Sequence, residues 1–134
     1  MEETPFEGTI LENLTLGDTT IDSKSLNEVI DLVGLSEFIK NQEKGMQTIL
    51  YPEGKKLSFT ISKKIILARA ILKKPKLFIL NEPLDQFDND EVKRIVDYLA
   101  SPDRDWGFIV VSKNPYWGQV VDKKIELSNG TLKA

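Results

Sequence analysis

Two unbroken apolar runs, Leu77-Phe78-Ile79-Leu80 and Phe108-Ile109-Val110-Val111, constrain the fold of this chain more than any other feature. Neither run alternates polar with apolar residues, so each predicts a short strand buried on both faces, the pattern of a parallel sheet. Between them Val92, Ile95, Val96 and Leu99 recur at helical spacing, and Asp88 and Glu91 stand at the spacing of a capping box. Strand, helix and strand in this order predict a right-handed βαβ unit, and hence an α/β fold.

The first half reads as helical. Leu26, Val29, Ile30 and Val33 form one face of a helix, with Ser25 and Glu28 at capping-box spacing and Gly34 as its stop. A shorter helix is expected over 36–42. Ile61, Ile65, Ala68 and Leu72 mark a third, closed by Lys73-Lys74-Pro75. Residues 1–20 are expected to be irregular or briefly extended, and residues 43–57 a loop. The tail from Lys124 to Leu132 predicts a hairpin turning at Ser128-Asn129-Gly130. Lys63-Lys64 and Lys73-Lys74 read as solvated helix charges, and Trp106 and Trp117 as core or interface residues.

Composition removes whole classes of chemistry. The 134 residues include no Cys and no His, so thiolate nucleophiles, Cys-based metal sites and Ser-His-Asp catalysis are excluded. A net charge of -3 argues against nucleic acid as a partner. The start, Met1-Glu2-Glu3-Thr4-Pro5, has no apolar segment of the kind a signal peptide needs. The longest apolar stretch, Ile65 to Leu72, is interrupted by Arg69 and is too short to span a bilayer.

Ligands of open α/β sheets bind beyond the carboxyl ends of the strands. Those ends are Asn81-Glu82-Pro83 and Ser112-Lys113-Asn114, which would place Glu82 near Lys113. Two readings of that pair stand: a structural ion pair, or an acid that activates water beside a cation that contacts phosphate.

From Gly54 the order of the pieces becomes informative. Leu57-Ser58-Phe59-Thr60-Ile61, the Ala68-Arg69-Ala70 segment, the strand ending in Asn81, then Glu82-Pro83 and Asp88 follow one another. This order resembles the ATP-binding-cassette (ABC) ATPase pattern of signature loop, signature helix, Walker B strand, catalytic glutamate and D-loop aspartate. Lys113 stands where that family usually has its switch histidine. Upstream, the segment from Pro5 to Leu14 resembles the stretch just after the Q-loop of exporter-type cassettes. Gly45-Met46-Gln47-Thr48 followed by Gly54 is similar to the exporter-type approach to the signature. The resemblance runs from end to end.

The resemblance implies the C-terminal part of a RecA-like P-loop NTPase core (about 76–134) carrying the ABC helical subdomain (about 20–75). It implies ATP and Mg²⁺ as cofactors of a longer protein, with a transmembrane domain and a second nucleotide-binding domain as partners, at the cytoplasmic face of the membrane. No Gly-rich Walker A motif with its Lys is present, so the chain is expected to be a portion beginning at the Q-loop, without ATPase activity by itself.

The motifs are eroded. At the signature position Ser58 keeps the hydroxyl that would face a γ-phosphate, while Phe59 and Thr60 stand where the family has glycines. Phe59 packing in an interface is the competing reading. Asn81 holds the Walker B aspartate position and brings no charge to Mg²⁺. Glu82 keeps the place of the general base. Asp88 is either the D-loop aspartate or only a helix N-cap. Lys113 either contacts phosphate as a point charge or neutralises Glu82 in an inactive site. The function implied is coupling of ATP binding and hydrolysis to export through a degenerate site. The alternative is a non-enzymatic pseudo-ATPase module for dimerisation or regulation.

Overall fold

The computed structural model describes residues 4–51, 57–81, 84, 87–101, 106–119, 126–128 and 131–133. The elements in order are β1 (Gly8–Thr9), α1 (Ile10–Thr15), α2 (Ser23–Val33), α3 (Ser36–Lys40), β2 (Ile49–Leu50), α4 (Phe59–Leu72), β3 (Leu77–Asn81), α5 (Asn89–Leu99), β4 (Gly107–Val111), β5 (Glu126–Ser128) and β6 (Thr131–Lys133). Short 3₁₀ turns cover Gly45–Gln47 and Pro115–Gln119.

The expected βαβ unit is present. β3 and β4 pair in parallel, from Leu77 opposite Gly107 to Asn81 opposite Val111, with α5 as the crossover. Apolar positions of α5 at helical spacing, Val92, Ile95, Val96 and Leu99, are all buried, and its start is a full capping box. The tail pairs as an antiparallel hairpin, Ser128 opposite Thr131, although the turn residues 129 and 130 lie outside the described residues.

The expectation of strands buried on both faces is corrected. Phe78 is 3% exposed, but its neighbour Ile79 is 74% exposed, and Leu77, Ile109 and Val111 are each more than half exposed. Inward residues meet aromatic rings: Phe78 lies edge-on to Trp106 at 5.0 Å, and Phe108 packs on Trp117 at 5.6 Å. A two-stranded ribbon with one layer against it can cover one face only.

α4 is the hub of the core. Ile65, Leu67, Ala68, Ile71 and Leu72 are buried, and so are Lys64 and Arg69, so the helix is covered nearly all round. It packs against α1 and α2, and a single apolar cluster runs from Ile10 through Val33 and Ile65 to Val96 and Trp117. Lys64 therefore is no solvated charge; it sits 9% exposed within the core.

Four further details differ from the sequence reading. Residues 1–20 hold the helix α1, capped by Thr9, which accepts from the Glu12 amide, while Glu12 accepts from the Thr9 amide. That second bond holds the Glu12 carboxyl below its ordinary range. Residues 43–57 contain a 3₁₀ turn and β2, which pairs antiparallel with β1. α2 starts at Ser23, two residues before Ser25, because Asp22 caps it by accepting from the Ser25 amide at 2.7 Å. α3 stops at Lys40. Gly34 ends α2 in the left-handed region, φ 82°, as expected.

Candidate functional site

The segment 57–61 forms the N-terminus of α4. Ser58 is the N-cap, in extended conformation, and its Oγ accepts from the Ile61 amide at 3.1 Å. Its carbonyl accepts from the Ser62 amide at 3.0 Å. The Phe59 and Thr60 amides precede the i→i−4 ladder, and no acidic residue occupies the first turn. This end of a fourteen-residue helix therefore carries positive potential without an internal counter-charge, and Ser58 is exposed there.

Phe59 is 63% exposed, and the Lys63 ammonium lies 5.8 Å from its ring centre. It does not pack in the core of its own chain. Leu57, Thr60 and Ile61 are half-buried at the same end.

Asp88 is the N-cap of α5: its carboxylate accepts from the Glu91 amide at 2.8 Å, and Glu91 Oε1 accepts from the Asp88 amide at 3.2 Å. Of the two readings left open, the cap is observed; a nucleotide contact would be additional to it. Glu82 and Pro83 lie outside the described residues, as does the side chain of Asn81, and so does any pairing of Glu82 with Lys113. The backbone places Asn81 at the carboxyl end of β3, opposite Val111 at the end of β4. Lys113 follows two residues later, exposed, at the same edge of the ribbon. The turn beyond it is pinned by Ser112 Oγ, which accepts from the Asn114 amide, and by Asn114 Oδ1, which accepts from the Tyr116 amide.

Polar contacts that sequence reasoning did not give to Lys64, Arg69 and Asn13 hold this frame together. Lys64 Nζ lies 2.7 Å from Glu91 Oε2 and donates to the Gly34 carbonyl at 3.3 Å. Arg69, 4% exposed, donates from Nε to the Asn13 carbonyl at 2.9 Å and from Nη1 to the Thr4 carbonyl at 3.3 Å. Asn13 is fully buried; its Oδ1 accepts from the Phe6 amide at 2.8 Å, and its Nδ2 donates to the Phe6 and Thr9 carbonyls, both at 3.0 Å. Thus the segment before α1 is tied to α4. A lone cation inside the apolar run 65–72 was the available signal for Arg69, since such a charge must be paired if buried.

Among the described residues no group of three acidic side chains is arranged to hold a metal ion, and no helix is long and apolar enough to cross a membrane.

No protein-family model matches the chain. It is 28% identical over 130 residues, 96% of its length, to ATP-binding cassette sub-family B member 5 of Mus musculus. It is 38% identical over 88 residues, 66% of its length, to ABC transporter B family member 4 of Dictyostelium discoideum. The chain spans 10% and 12% of the length of these two relatives. In structure it is similar to a bacterial Atm1-family ABC exporter with ATP bound, with a TM-score of 0.72 over 86% of this chain and 20% of that one. At 18% identity that likeness concerns the fold. The relatives are ABC transporters.

Proposed function

We propose that this chain is the C-terminal part, from the Q-loop onward, of the nucleotide-binding domain of an exporter-type ABC transporter. In the complete protein that domain couples ATP binding and hydrolysis to transport across a membrane. The observation that carries this reading is the match of 130 residues, nearly the whole chain, to one subfamily B transporter. On it, residues of about 20–75 are the helical subdomain with the signature, and residues of about 76–134 belong to a RecA-like core.

The roles follow residue by residue. The N-terminus of α4, with the Ser58 hydroxyl and the amides of residues 59 and 60, would receive a γ-phosphate held by a second nucleotide-binding domain. The donor set fits such a group: a hydroxyl, first-turn amides and no first-turn carboxylate. Mg²⁺ would rest on the strand end at Asn81, which supplies an amide where a carboxylate binds a hard cation better. Glu82 would polarise the attacking water, and Lys113 would sense or neutralise charge at the same sheet edge. Asp88 would add a D-loop contact from its position as the α5 cap. ATP supplies the phosphoryl chemistry when bound; this part of the chain contributes one wall of the site. Its partners would be a transmembrane domain and a second nucleotide-binding domain, at the cytoplasmic face of the membrane.

One observation favours the second reading, a pseudo-ATPase module that keeps the fold for dimerisation or regulation. Phe59 projects, 63% exposed, from the helix end where a phosphate would approach, in a place that suits residues without a Cβ. The test is ATP turnover by the complete polypeptide with and without Glu82→Gln. Loss of at least about a hundredfold in turnover is the expected result for a general base. Unchanged turnover would remove Glu82 from that role, and absence of turnover in both proteins would favour the module.

A further inference from the structure

We infer that Lys64 is the positioning residue that holds the start of α5 in register with the start of α4. Three observations carry this. First, the Lys64 ammonium is almost wholly enclosed, with Lys64 and Glu91 side chains 11% and 14% exposed, and it lies 2.7 Å from Glu91 Oε2. A buried cation with a single strong acceptor fixes that acceptor's direction, because breaking the pair leaves an uncompensated charge. Second, the other Glu91 oxygen accepts from the Asp88 amide, so one carboxylate is shared between the lysine and the α5 cap. Third, the same ammonium is 5.7 Å from the ring centre of Phe87, the buried residue just before Asp88, and donates to the Gly34 carbonyl at the end of α2.

Lys64 thus contacts residues 87 and 91 directly, and reaches 88 through Glu91, from one point on α4. That point is six residues after Ser58, about 9 Å along the helix axis. The ends that carry Ser58 and Asp88 are joined by the chain Lys64–Glu91–Asp88, and a shift of one helix along the other has to stretch this link or carry both ends together. The significance for nucleotide binding rests on the reading of Ser58 and Asp88 as parts of one site. The link itself does not, and its test needs no nucleotide, so the two can fail separately.

The test is amide hydrogen exchange of the complete polypeptide, read by mass spectrometry of fragments that isolate single amides, comparing Asp88 with Ser25. Both amides are capped by a carboxylate, Ser25 by Asp22, which Lys64 does not touch. In Lys64→Met the Asp88 amide is expected to exchange roughly three- to tenfold faster, the worth of one hydrogen bond, with Ser25 unchanged. Lys64→Arg should restore the slower exchange, and Lys64→Met should add nothing to Glu91→Ala, because both remove the same link. Unchanged exchange at Asp88 in Lys64→Met would overturn the inference. So would equal acceleration at Ser25, which would reduce the pair to a general stabiliser, or additive effects of the two substitutions. Should Lys64→Met fail to fold, Lys64→Gln decides, since it removes the ion pair while leaving the carboxylate that the Asp88 amide bonds intact. Faster exchange at Asp88 alone supports the link, and no change refutes it.

Discussion

Arg69 and Asn13 show how much one buried polar pair organises. The guanidinium sits over the Phe6 ring at 5.5 Å, bonds the Asn13 and Thr4 carbonyls, and shares Asn13 Oδ1 with the Phe6 amide. An extended segment with little apolar contact is thereby fastened to the central helix. Arg69→Met keeps apolar volume but strands two carbonyls, and is expected to cost about 1–3 kcal/mol in urea unfolding. Asn13→Ala should cost more, because it removes the Oδ1 acceptor of the Phe6 amide together with the Nδ2 donor to the Phe6 and Thr9 carbonyls. A smaller loss for Asn13→Ala than for Arg69→Met would contradict this account. The arginine was legible as a charge inside an apolar run. Its partner was not, since nothing in a single sequence links positions 56 residues apart.

At the scale of elements, Gly34 joins two requirements. It closes α2 at φ 82°, and a Cβ there would fall 2.2 Å from Glu91 Oε2 and 3.0 Å from Lys64 Nζ. Gly34→Ala is therefore expected to cost more than the about 1–2 kcal/mol of left-handed strain alone. In a Glu91→Ala background the collision is gone, and the cost should fall back to that strain, as thermal unfolding of the two pairs of proteins would show. An equal cost in both backgrounds would mean that the ion pair moves aside freely. α2 and α5 were legible because each buries one face at helical spacing, while α4 and the two parallel strands were legible from their length of apolar sequence. α1 had a legible signal, Thr9 and Glu12 at capping-box spacing, which glycines at 8 and 17 outweighed. β1 and β2 pair over two residues each, too short for any periodicity. The cap of α2 was misplaced because Asp22 and Ser25 are both good caps; the structure uses the first and lets it bond the second.

Across the whole molecule, the order of the main helices and strands was legible and the open face of the sheet was not. A continuous apolar run predicts cover on both sides, yet Ile79, Ile109 and Val111 face outward beside Leu77. Parallel sheets are ordinarily covered on both faces, so this surface fits a piece of a larger α/β layer, in accord with a chain spanning 10% and 12% of its relatives. The candidate site was legible in part. Ser58 and Asp88 stand at helix starts as their patterns require, while Glu82 and its relation to Lys113 lie outside the described residues. The most direct test of the central claim is the size and location of the native polypeptide, by immunoblotting fractionated source cells with an antibody to this chain. A membrane-bound band several times larger than 15.2 kDa is the expected result. A soluble band at 15.2 kDa would contradict it.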